Sequence, residues 1–193
     1  LVRVYFLIQL ADKVEGKSQI ETLFDTAEMN ELAALYRALP ALKTPEIWLN
    51  RATDAVRSNI GPVFDVIAFG NPYPLQHFSE LAWNQLVLKC IFNDKAIHRI
   101  IGLDERANQE LANTLSDFAH ERWSANRRVP SQVWRLVPRF MNEILQADIE
   151  KLAQSENSRD VLAASLVKQE VQIPGSTQGL WHELENPEPI YTA

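Results

Sequence analysis

Signals for a helix start recur about every 15 to 25 residues along this chain, and no pair of alternating apolar strands lies between them. That spacing leaves little room for anything but helix packed on helix. Ser18 with Glu21 fits a capping box, and Asp25 with Glu28 fits a second one ahead of Leu32, Leu35, Tyr36 and Leu39, which Pro40 closes. Thr44-Pro45 reads as a cap with a first-turn proline. It predicts a helix to Ser58 with Ile47, Trp48, Ala52, Ala55 and Val56 turned inward. Gly61-Pro62 opens a short apolar helix from Val63 to Phe69. Asn71-Pro72-Tyr73-Pro74 then sets two prolines at alternate positions and predicts a rigid extended turn. Further helices are expected over residues 75–92, 95–101 and 108–125. Pro130 opens the next, and 148–154 and 159–169 form an antiparallel pair joined by Ser155 to Ser158. The class that follows is all-α, an irregular HEAT-like helical repeat (α-solenoid) in one domain over residues 1–170. Residues 171–193 carry Pro174, Gly175, Gly179, Pro187 and Pro189 with Glu183, Glu185 and Glu188. They read as an extended acidic tail anchored through Trp181 and Leu184.

Charge and cysteine content narrow the function. A net charge of -6 over 193 residues argues against a nucleic-acid partner, whose phosphates call for a basic surface. The single cysteine, Cys90, has no partner for a disulfide and fits a reducing, cytoplasmic compartment. The apolar run from Val4 to Leu10 is too short to span a membrane, and no cleavage site follows it.

Polar residues stand out where the local pattern calls for apolar ones. Helix 75–92 sets Phe78, Leu81, Ala82, Leu88 and Phe92 on one side and Trp83, Val87, Cys90 and Ile91 on the other. Gln85 and Lys89 fall inside the first face, and Asn84 lies between Leu88 and Ile91. Such groups cost free energy unless they are paired, so they either tie a core together or line a cavity. Arg122 sits at the centre of the stripe Leu111, Leu115, Phe118. Its permanent charge demands a carboxylate, carbonyls or an anionic ligand. Six arginines (Arg106, Arg122, Arg127, Arg128, Arg135, Arg139) stand against three acids (Glu110, Asp117, Glu121) over 106–139, a local basic region in an acidic chain suited to an anionic small molecule, a phospholipid head group or an acidic partner surface. Asp117, His120 and Glu121 have the spacing of an acid–imidazole pair on one helix face. They lack the companions of a tight metal site, so no metal and no cofactor is expected. Glycine-rich phosphate loops, nucleophile elbows and zinc signatures do not occur.

These same residues resemble the EboA family of bacterial metabolite-traffic proteins. The likeness runs through Asn71-Pro72-Tyr73-Pro74, then Ala82-Trp83-Asn84-Gln85-Leu86-Val87-Leu88-Lys89, then Gly102-Leu103-Asp104 with Arg106, Asn108 and Glu110-Leu111-Ala112. It continues through Asp117 and Ala119-His120-Glu121-Arg122-Trp123 to Trp134-Arg135 and the helix pair 147–169. It covers about residues 32–169. The resemblance implies a protein encoded beside a membrane prenyltransferase, a sugar-cyclase-like enzyme and others, in clusters that move secondary-metabolite precursors. It implies a pathway without catalytic residues.

The expected function is that of a cytoplasmic accessory protein that binds a pathway intermediate or partner enzyme and assists metabolite traffic or export. Its partners are expected among the proteins of the same cluster, with the membrane prenyltransferase one candidate, and it does not itself span a membrane. The candidate binding residues are Asn71, Tyr73, Trp83, Asn84, Lys89, Asp104, Arg106, Asn108, Asp117, His120 and Arg122. Lys89, Gln85, Arg122 and the Asn71 to Pro74 turn are expected to converge beside a cleft, with Asp104 or Asp117 as countercharge. The alternatives are an enzyme on a sugar-derived or prenylated intermediate, with His120 as acid/base oriented by Asp117, and a pure protein–protein scaffold.

Overall fold

The computed structural model describes residues 2–185, and among these the regular structure is all helical, with no strand. The chain forms two compact units. The first comprises residues 2–90 with Arg99–Gly102, and the second comprises Ile91–His98 with residues 103–185.

The first unit is built from α1 (Val2–Ala11), α2 (Gly16–Thr26), α3 (Met29–Ala38), α4 (Leu49–Arg57), α5 (Gly61–Ala68), α6 (Tyr73–His77) and most of α7 (Glu80–Phe92). Its core gathers Ile20, Leu35, Leu39, Trp48, Ala52, Phe64, Ile67, Tyr73, Trp83, Leu86 and Val87. Several starts differ from the local reading. α2 begins two residues before Ser18, whose hydroxyl donates to the Glu15 carbonyl at 3.0 Å. Gly16 opens the helix because a Cβ there would overlap the Leu10 carbonyl. The box ahead of α3 is Glu28 with Glu31, the Glu28 amide donating to the Glu31 carboxylate at 3.3 Å, three residues later than Asp25 with Glu28. Thr44 takes a left-handed φ of 49° and makes no side-chain cap. Pro45–Trp48 forms a 3₁₀ turn that runs into α4 and leaves Ile47 exposed.

The two prolines expected to hold an extended turn start a helix instead. Pro72 is the N-cap of α6 and Pro74 lies in its first turn, where a missing N–H has no intrahelical partner to lose. The expected long helix over 75–92 breaks at Phe78, after which the Ser79 hydroxyl accepts from the Ala82 amide at 3.3 Å ahead of α7. α7 is one-sided. Trp83, Asn84, Leu86, Val87 and Cys90 are buried, whereas Leu81 is 62% and Phe92 55% exposed and Gln85 also faces outward. Both sides carried apolar residues, so periodicity alone did not separate them.

The second unit holds α8 (Gln109–Ser124), 3₁₀ helices at Ser131–Leu136 and Pro138–Phe140, α9 (Glu143–Ala153), α10 (Ser158–Gln172) and a 3₁₀ helix at Leu180–Leu184. Asparagine caps all three α-helices. Asn108, Asn142 and Asn157 each accept at 2.9 Å from the amides of Leu111, Leu145 and Arg159. Asn142 thus starts α9 at Glu143, five residues before the expected start. Leu111, Leu115, Val133, Trp134, Leu145, Ala163, Ala164 and Val167 form the core. Regular structure enters the segment expected to be extended, since α10 reaches Gln172 and Leu180–Leu184 is helical with Trp181 and Leu184 buried. Pro187, Glu188 and Pro189 lie outside the described residues.

Candidate functional site

The eleven candidate residues divide between the units. Asn71, Tyr73, Trp83, Asn84 and Lys89 belong to the first, and the other six to the second.

In the first unit the polar groups close hydrogen bonds inside the fold. The buried Asn71 amide donates to the carbonyls of Tyr36 (3.2 Å) and Val66 (3.0 Å), and its oxygen accepts from the Tyr73 amide (3.0 Å). One side chain thereby joins the ends of α3 and α5 to the start of α6. The Tyr73 hydroxyl donates to the Pro45 carbonyl at 2.6 Å. Burial, with the nearby Glu46 charge, pushes the Tyr73 phenol up to about 12, so it stays a neutral donor. Trp83 and Asn84 are buried on α7. Lys89 donates to the carbonyls of Val56 and Ser58, both at 2.7 Å, with its ammonium 4.9 Å from the Phe64 ring centre. Those carbonyls end α4, where a cation is favoured.

In the second unit Asp104 takes a two-pronged bond from Arg135, Nε at 2.7 Å and Nη2 at 2.6 Å. Arg139 donates into the same loop, to the carbonyls of Asp104 (2.5 Å), Glu105 (3.4 Å) and Ala107 (3.4 Å). Two of the six arginines are thus engaged in shaping the 104–107 loop. Asn108 caps α8 and also donates to the Arg106 carbonyl at 3.3 Å. Arg106 itself is partly buried.

His120 does not pair with Asp117. Asp117 is exposed and its carboxylate makes no hydrogen bond or ion pair with any described residue. The His120 Nε2 instead lies 2.6 Å from Asp148 of α9. Asp148 is buried and its second oxygen accepts from the Ser116 hydroxyl at 2.5 Å. The orienting carboxylate comes from another helix because Ser116 and His120, four apart, lie on the face of α8 that meets α9. One signal for it existed: Asp148 stands inside the stripe Leu145, Ile149, Leu152.

A cavity of about 490 Å³ opens in this unit. Its apolar lining includes Ile91, Ile97, Val129, Val133 and Leu184, all buried. Four cations line it, Lys95, Arg122, Arg128 and Arg159, against two acids, Asp94 and Glu185. Arg122 gives its Nε–H to the Arg128 carbonyl at 2.7 Å and lies 5.6 Å from the Phe118 ring centre. Its two amino groups make no hydrogen bond or ion pair to any described residue. The Gln132 Oε1 in the same wall is buried and accepts nothing from the described protein. Arg159 donates to the Leu184 carbonyl at 2.7 Å.

The family profile described as "Metabolite traffic protein EboA" matches residues 1–138. The chain belongs to the EboA family. The match takes in the opening helices and ends before α9, short of the expected likeness over 147–169. Within the EboA-matched stretch lie the cavity residues from Ile91 to Val133, while Arg159, Leu184 and Glu185 lie beyond it. No curated protein and no solved structure matches the chain. Among the described residues no group of three or more His, Cys, Asp or Glu could hold a metal ion, and no helix is long and apolar enough to cross a membrane.

Sequence reasoning named Arg122 and missed Lys95, Gln132 and Arg159, which line the same cavity. Arg159 did carry a signal, since a cation in the first turn of a helix opposes the macrodipole and calls for another role.

Proposed function

We propose that this EboA-family chain is an accessory protein of metabolite traffic that binds an anionic pathway intermediate in the cavity of its second unit and passes it on. The observation that carries the reading is Arg122. Arg122 lines a cavity of about 490 Å³, its guanidinium is fixed through Nε, and its two amino groups remain for an incoming oxyanion. Lys95, Arg128 and Arg159 add positive potential there. A cytoplasmic location, exchange with partner proteins of the same pathway and the absence of catalysis belong to this proposal.

The test is a complementation assay for metabolite export with Arg122→Met and with Ala96→Trp, which fills the cavity. Both variants are expected to fold and to lose traffic. Full traffic with both, in folded protein, removes the cavity from the function.

A second reading has its own observation, the half-exposed His120 imidazole held by buried Asp148. A carboxylate in that position orients an imidazole for acid–base work. His120→Gln at full traffic and unchanged stability would discard it.

A further inference from the structure

The lining of the cavity is divided by chemistry, and that division narrows the ligand class. Ile91, Ile97, Val133 and Leu184 are at most 3% exposed and make an aliphatic floor. Lys95, Arg122 and Arg159 are only partly buried and Arg128 is exposed, so the positive groups are those nearer the solvent. We infer that the cavity takes an amphiphilic oxyanion, with an apolar body against the aliphatic floor and a phosphate or carboxylate head at Arg122. The inference rests on the cavity reading above and deepens it.

Three physical points carry it. A hydroxyl-rich metabolite would set its hydroxyls against Ile91, Ile97, Val133 and Leu184, none of whose side chains can hydrogen-bond, and would lose its hydration for nothing. An aliphatic or aromatic body gains from the same surface, about fourfold in affinity for each methylene buried. Arg122 is also fixed before the ligand arrives. The bond to the Arg128 carbonyl and the Phe118 ring beneath hold the guanidinium plane, so a bidentate oxyanion orders few further rotors. The buried Gln132 oxygen supplies an acceptor for a hydroxyl or protonated oxygen on the ligand. Asp94 and Glu185 also line the cavity, and Glu185 lies 3.9 Å from the Arg135 guanidinium, so its charge is shared with a cation outside the lining.

The experiment is calorimetric titration of the full chain with butyl, hexyl and octyl phosphate below their micelle concentrations, with octanoate, with 1-octanol and with inorganic phosphate. Octyl phosphate is expected to bind about 250-fold tighter than butyl phosphate, and at least tenfold tighter than octanol. The ratio of octyl phosphate to octanoate affinity identifies the preferred head. Arg122→Met should lower octyl phosphate affinity tenfold or more and leave octanol unchanged, and Ala96→Trp should abolish both. Affinities that match inorganic phosphate at every chain length overturn the amphiphile and leave the anion site standing. Octanol binding as tightly as octyl phosphate overturns the head contact. No saturable binding of any anion removes both readings, and undiminished binding in Ala96→Trp moves the site out of the cavity and overturns the inference.

Discussion

Lys89 in the first unit and Arg122 in the second are both cations on helix faces where the local pattern calls for apolar side chains. The Lys89 ammonium is taken up by two carbonyls at 2.7 Å, those of Val56 and Ser58, at the end of a helix whose Ser58 amide closes back onto the Asp54 and Ala55 carbonyls. Arg122 meets one carbonyl and keeps two amino groups on a cavity wall. A misplaced charge in a sequence therefore has two outcomes, closure of the fold or exposure to a ligand. Counting the donors that the fold absorbs separates them. Asn71 and Tyr73 fall with Lys89 on that count, and the comparison predicts that changes in the first group cost stability while Arg122 costs binding.

Asn71→Leu gives the largest stability effect. It removes three hydrogen bonds among groups that are buried at the α3, α5 and α6 ends, a loss of about 3 kcal/mol, or a fall in melting temperature of about 10 °C. A fall below about 2 °C would show that these ends are closed by something other than Asn71.

Asp148→Ala comes next and probes the second unit. It strands the Ser116 hydroxyl and frees His120, for a loss of about 2 kcal/mol, whereas exposed Asp117→Ala should stay within about 0.5 kcal/mol of the parent. Denaturant titration of both variants checks the contrast. Equal losses would restore Asp117 as the partner of His120 and break the distinction drawn above.

The helical class was legible because caps and breakers act locally: Asn108, Pro62 and Pro130 mark real boundaries in the chain itself. The face of α7 was not, because Leu81 and Phe92 are apolar on the solvent side. The Asn71 to Pro74 segment misled because a proline in the first turn of a helix has no bond to forfeit. Asp148 and the cavity were beyond local pattern altogether. Arg122, Arg159 and Leu184 meet only through packing, and nothing within one helical turn of any of them specifies the other two.

Lys89→Met tests the closure side more gently. Its stem packs almost as before, and the Val56 and Ser58 carbonyls sit at a helix end, so the loss is about 1 kcal/mol. Metabolite traffic is expected to persist. Loss of traffic in a folded Lys89→Met protein would give Lys89 the kind of role assigned here to Arg122, and the donor count would no longer separate the two.

The smallest effect is a pH dependence confined to the second unit. The Glu170 carboxylate accepts from the Thr177 hydroxyl (2.6 Å), the Gly175 amide (2.6 Å) and the Thr177 amide (3.0 Å), tying the end of α10 to the turn that leads to Leu180–Leu184. The Thr177 hydroxyl first, then the Gly175 amide, hold this carboxyl below its ordinary value. A folded pKa below the unfolded one means stabilisation that is complete above the ordinary carboxylate range and fades as pH falls through it toward the folded value. Hydrogen-exchange protection at Gly175 and Thr177 should therefore fall on acidification, while protection of the Tyr73 amide, held by the uncharged Asn71 side chain, should not follow the same curve. Glu170→Gln should flatten the Gly175 and Thr177 profile with little change in melting temperature. If protection at those amides is flat in the parent, the turn is held by other contacts. If Tyr73 loses protection over the same pH range, closure in the first unit depends on a titrating group that Asn71 and Lys89 do not supply.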